Sequence, residues 1–87
     1  MNLIKCKKNC STIKLQKKFV ILNEDTGRYL ITNQTGKKIL DIIGEAILFD
    51  ELKEKYAAEF NLNISKAEMD VKDFLNNALE LDVLISE

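Results

Sequence analysis

The 87-residue chain contains no histidine and no proline. Without histidine it lacks the commonest general base near neutral pH and the commonest metal ligand. Without proline it has no proline-rich linker. Its two cysteines, Cys6 and Cys10, stand in a CxxxC spacing with no third or fourth soft ligand, so one chain cannot assemble a tetrahedral zinc site from them. Lys5, Lys7 and Lys8 flank these thiols and would lower a thiol pKa if close enough; free thiols on an N-terminal arm are the simpler expectation. The three glycines stand apart, so no phosphate-cradling loop is present. No apolar run approaches the ~20 residues of a membrane span and no secretory signal pattern is visible, so a cytoplasmic location is expected. Neither a nucleophile–histidine pair nor a metal cluster can be drawn, and we expect no catalytic residues, no metal and no cofactor.

Hydrophobic residues make up 46% and charged residues 31% of the chain, the balance of one globular domain spanning residues 1–87. The net charge of −1 hides an asymmetry: residues 1–18 hold six lysines and no acid, while residues 19–87 hold seven basic and fourteen acidic residues. Residues 1–11 show no steady period and read as a loose basic arm, with a short strand over residues 2–6 as an option.

Residues 23–43 organise the rest. Asn23-Glu24-Asp25-Thr26-Gly27 is turn chemistry, flanked by Phe19-Val20-Ile21-Leu22 and Tyr29-Leu30-Ile31. Thr32 or Asn33 offers a helix N-cap, and Ile39, Leu40, Ile42 and Ile43 recur at helical spacing until Gly44. Ile13 and Leu15 alternate with polar residues as a further strand, and Lys17-Lys18 is the expected tight connection. The second strand is apolar on both faces, so its outer face needs a cover: the N-terminal segment, another copy or a ligand. Gly44 to Leu48 reads as a connector. Phe49, Leu52, Tyr56 and Phe60 mark a second amphipathic helix ending at Asn61. Ser65 with Glu68 suggests a capping box, with Ile64 and Met69 as its staple, for a third helix carrying Ala67, Val71, Phe74, Leu75 and Ala78 to Asp82. Val83-Leu84-Ile85 has the composition of a short closing strand. A three-stranded antiparallel sheet followed by three α-helices is an α+β, winged helix-turn-helix arrangement.

Several of these residues carry a resemblance. Gly27, Tyr29 and Asn33-x-Thr35-Gly36-x-x-Ile39-Leu40, followed by Glu51-Leu52 and Asp70-Val71-x-x-Phe74-Leu75, resemble the PqqD-like family of RiPP recognition elements over residues 13–84. Thr32 stands where that family usually has leucine, and Asp82 where it often has glycine. The resemblance implies a peptide chaperone that binds the leader of a ribosomally made precursor by strand addition at its third strand. The resemblance also implies that such a chaperone presents the precursor to a separate enzyme: a radical SAM maturase, a leader peptidase or a cyclodehydratase. Carried over, the edge is Arg28, Tyr29, Leu30, Ile31 and Thr32, and the groove wall is drawn from Asp70, Val71, Phe74, Leu75 and Ala78. The stripe Val71, Phe74, Leu75 reads more readily as plain core, whereas Tyr29 and Asp70 are free of that duty. Two other readings stay open. A winged helix can bind DNA, although residues 65–82 hold two lysines against five acids, which a duplex repels. An exposed edge can also pair with itself to give a homodimer.

Overall fold

A computed structural model describes residues 2–87. The expected meander is present: β2 (Cys10–Leu15), β3 (Lys18–Asn23) and β4 (Tyr29–Thr32) form an antiparallel sheet in that order. The connection between β2 and β3 is Gln16-Lys17, one residue earlier than Lys17-Lys18, with Gln16 supplying the positive φ of 57°. Asn23 organises the next turn. Its amide is buried, its Oδ1 accepts from Asp25 N at 2.9 Å, and its Nδ2 donates to the Asp82 carbonyl at 2.7 Å. Gly27 takes φ 77° there.

Helix α1 (Gln34–Ile43) begins at Asn33, whose side chain accepts from Gly36 N, and stops at Gly44 at φ 59°. Helix α2 (Phe49–Phe60) buries Phe49, Leu52 and Tyr56 and ends on Asn61 in the left-handed conformation. Helix α3 (Ile64–Glu80) starts before the expected capping box. Asn63, not Ser65, is its cap, accepting from Lys66 N at 2.8 Å. Ile64 and Met69 are 49% and 63% exposed and form no staple, and Glu68 is drawn away by Lys53 at 2.9 Å.

The largest departure lies at the N-terminus. Leu3–Cys6 is β1, the centre of a second sheet between β5 (Ala46–Leu48) and β6 (Leu84–Ser86). Residues 1–11 are therefore not a loose arm, as far as they are described, and Gly44 to Leu48 is more than a connector. Ile4 faces Ile47 on one side and Ser86 on the other and is 0% exposed. Lys5 pairs with Glu87 at 3.2 Å. β1 is too short to show a period, but it fills the core between the helices and β6, which is why it orders. The result is an α+β winged helix-turn-helix fold of three helices and two three-stranded antiparallel sheets.

Burial also corrects the reading of the thiols. Cys6 and Cys10 are both half-buried and free. Burial pushes both thiols above the ordinary range; a charge on Cys10 adds to this for Cys6, and Lys7 offsets it only partly for Cys10. The lysines do not activate them.

Replacing Ile4 with alanine should cost about 2–5 kcal/mol of unfolding free energy, because a buried isoleucine is truncated inside a packed sheet. Urea denaturation checks this; a mobile arm would lose nothing.

Candidate functional site

In an antiparallel ladder, backbone groups of successive residues point to opposite sides of the strand. Asn23 N donates to the Arg28 carbonyl, which sets the phase: Leu30 and Thr32 bond across to Ile21 and Phe19. The N–H and C=O groups of Tyr29 and Ile31 therefore point out of the sheet, where β4 has no neighbour. An open edge with free backbone groups exists at the expected strand.

Helix α3 lies beside that edge and is fastened to it at both ends. At one end Arg28 donates to the Glu80 carbonyl at 2.9 Å and approaches the Asp82 carboxylate at 3.6 Å. At the other, Phe74 packs onto the start of α1 over Gly36. A Cβ at Gly36 would fall 1.9 Å from Thr32 Oγ1 and 2.8 Å from Phe74 Cε1, so only glycine allows this close approach. On the α1 side of Phe74, at the end of β4, opens a cleft of about 350 Å³ lined by Thr32, Asn33, Gly36, Tyr56, Asp70, Asp73 and Phe74, among others.

The mouth of the cleft is acidic. Asp70 is half-buried, accepts from the Tyr56 hydroxyl at 3.3 Å and pairs with Lys66 at 3.0 Å. Burial, then the Asp70 charge, then this hydrogen bond raise the Tyr56 phenol above its ordinary pKa, so it stays a neutral donor. Asp73 is exposed beside it.

The expected site residues divide accordingly. Thr32, Asp70 and Phe74 line the cleft. Val71, Leu75 and Ala78 are 0% exposed and Leu30 is 2% exposed; they support the wall from the core and offer no side-chain surface. Tyr29 and Ile31 are 54% and 57% exposed but lie opposite Leu22 and Val20, on the sheet face turned away from the helices. Tyr29 therefore does not reach the groove with its side chain; it presents its backbone to the edge. Asn33, Gly36, Tyr56 and Asp73 were not singled out for the site. The Asn33-x-Thr35-Gly36 motif was the available signal, since a glycine inside a helix implies a close neighbour. No group of three or more potential metal-ligating side chains occurs among the described residues, and no described helix is long and apolar enough to cross a membrane.

Residues 18–84 match the family model described as coenzyme PQQ synthesis protein D (PqqD). The chain belongs to the PqqD family. Among solved structures, this PqqD-family chain superposes on "TbiB1 in Complex with the TbiA(beta) Leader Peptide" with a TM-score of 0.76. The two share 21% identity, over 95% of this chain and 96% of that one. That likeness establishes the shared fold. No curated protein matches the chain. Within the PqqD frame, the open edge and cleft just described are this chain's own geometry.

Two outcomes test the site. Gly36→Ala should destabilise the fold by about 1–3 kcal/mol through overpacking against Thr32 and Phe74, measurable by thermal or urea unfolding. In an ultraviolet phenolate titration, the component removed by Tyr56→Phe should titrate above the ordinary tyrosine value, and Asp70→Asn should bring it down.

Proposed function

We propose that this protein is a peptide-binding adaptor that takes the leader segment of a ribosomally made precursor as an added strand on β4. The carrying observation is the pairing of unsatisfied edge groups on Tyr29 and Ile31 with a side cleft under Phe74. Main-chain bonds from the edge hold any extended chain, and alternate side chains decide which chain is held. Side chains of one parity enter the cleft toward Asp70, Asp73 and Phe74. Those of the other parity lie beside Tyr29 and Ile31 on the outer face. The acidic mouth favours a leader with a basic or hydrogen-bonding residue at the inward position nearest Asp73. Arg28 is exposed but tied to the end of α3, and it meets an acidic leader residue only at the far end of the edge.

Membership of the PqqD family and a fold shared with a leader-bound protein support this reading. The cleft offers paired hydrogen-bonding and apolar surface without a nucleophile–base arrangement, in keeping with a role that is not catalytic. The adaptor raises the local concentration of precursor at a separate modifying enzyme, a radical SAM maturase being one candidate, in the cytoplasm. Nucleic acid is the poorer partner: Lys66 and Lys72, the two lysines of α3, are already paired with Asp70 and Glu68.

Calorimetric titration with synthetic leader peptides tests the proposal. Ile31→Pro removes an outward N–H and leaves the ladder to β3 untouched, so it should weaken binding by about tenfold or more with little change in stability. Asp73→Lys should lower affinity for a leader with a basic inward residue and reverse the salt dependence. Unchanged affinity in Ile31→Pro would remove strand addition at β4 from consideration.

A further inference from the structure

The outer face of the meander is apolar, and its apolar rows run out at β4. Successive side chains of a strand alternate between the two faces, and directly opposite residues share one. Ser11, Ile13 and Leu15 of β2, Lys18, Val20 and Leu22 of β3, and Tyr29 and Ile31 of β4 therefore lie together, turned from the helices. All but Ser11 and Lys18 are apolar, and none is acidic. Ile13, Val20 and Ile31 form one row; Ser11, Leu22 and Tyr29 form the next. Val20 and Leu22, flanked on both sides, are half-buried, whereas Tyr29 and Ile31, flanked on one, are more than half exposed.

Hydrogen bonding fixes where the side chains of a strand added beyond β4 must fall. Tyr29 and Ile31 turn both N–H and C=O outward. In an antiparallel addition each forms a hydrogen-bonded pair with the residue opposite, at a Cα separation of about 5.5 Å. Those two partners stand two apart in the added strand and share the outer face with Ile31 and Tyr29. The residue between them faces the other way, toward α3. Because the strands run oppositely, the earlier partner meets Ile31 and the later one meets Tyr29. The row through Ile13, Val20 and Ile31 is β-branched throughout and favours a further β-branched side chain; Tyr29 favours an aromatic one. The helix side differs in kind, since the cleft there carries Asp70 and Asp73.

We propose that the ligand of the β4 edge is an extended peptide with apolar side chains at two positions two apart, flanking a polar or basic residue. Ile31 and Tyr29 read the apolar pair on the outer face, while the residue between them turns to the helix side. This rests on the peptide-binding reading of β4 and adds a second selecting surface to it, on the face away from α3. A polar side chain at an outward position keeps the main-chain bonds and forfeits only the cross-strand contact. Selection here is therefore graded, each pair contributing about two- to fivefold in affinity.

Calorimetric titration of the full chain with two capped synthetic peptides of one composition is the test. In Ser-Lys-Val-Lys-Tyr-Lys-Ser the valine and tyrosine fall on one side of a strand; in Ser-Lys-Val-Tyr-Lys-Lys-Ser they fall on opposite sides. The first should bind more tightly, by about two- to fivefold. Ile31→Thr keeps a β-branched residue at an exposed place and should weaken the first peptide by about the same factor. Against that peptide with threonine in place of valine, Ile31→Thr should lose little further, which is the coupling a double-mutant cycle reads. Leu15→Ser alters the same face on the far strand and should bind as the wild type does. Failure of the first peptide to bind, equal binding of the two isomers, or a cycle without coupling overturns the proposal. So does a loss in Leu15→Ser equal to that in Ile31→Thr, since the peptide then adsorbs to the face at large. Should Ile31→Thr not fold, Tyr29→Thr against the peptide tyrosine gives the same cycle. If coupling is absent while Ile31→Pro weakens binding, strand addition at β4 stands and only the outer-face selection falls. If Ile31→Pro leaves binding unchanged, strand addition itself falls.

Discussion

Everything in the meander follows from the two-sidedness of a strand's backbone. β3 gives Val20 and Leu22 to β2 and Phe19, Ile21 and Asn23 to β4, so its hydrogen-bonding capacity is filled. β4 and β2 are each filled on one side only. A buried polar group left unpaired is costly, and these outward groups avoid that cost only by facing solvent or another chain. The helices then decide which edge becomes a groove. α3 stands beside β4, held there by Arg28 at one end and by the Gly36–Phe74 contact at the other. β2 has no such wall and remains a bare margin.

Helix α3 is thus held in place by residues that do not line the cleft. Asn23 ties the turn before β4 to the Asp82 carbonyl just beyond α3, and Asp82 holds the left-handed conformation that turns the chain back toward β6. Asp82 pays for the place of a glycine with strain that only Asn, Asp and a few others tolerate. Val71, Leu75 and Ala78 hold α3 down from behind. On the peptide-binding proposal, selectivity along the groove falls to a small set, chiefly the half-buried Asp70 and Phe74 and the exposed Asp73.

Much of this was legible in the amino-acid order. The turn at Asn23–Gly27, the cap at Asn33, the stop at Gly44 and the left-handed Asn61 each rest on local chemistry, and each lies where that chemistry places it. Short strands near residues 2–6 and 83–85 were legible too, and both are there; what escaped is the strand at residues 46–48 and the joining of all three in one sheet. β1, β5 and β6 are three or four residues long, too short for a period, and they meet only because the chain brings residues 3–6, 46–48 and 84–86 together. Asn63 and Ser65 are comparable caps by residue type, and in the fold Asn63 takes the place while Glu68 pairs with Lys53 of α2 instead of closing a capping box. An apolar stripe on α3 does not say whether it meets core or ligand, so Val71 and Leu75 were ambiguous until burial was known. Tyr29 illustrates parity: one residue's difference in phase sends its ring to the outer face and its amide to the edge.

The small second sheet has one more implication. Leu3 and Glu87 exchange backbone hydrogen bonds at 2.9 and 2.8 Å, so both extremities of the described chain sit side by side at β1 and β6. That contact closes a loop over nearly all of the described residues, and a contact of such sequence separation is slow to gain. A circular permutant that links these extremities and opens the chain at the exposed Gln16-Lys17 turn would turn this closure into a local one. It should keep the architecture while folding faster.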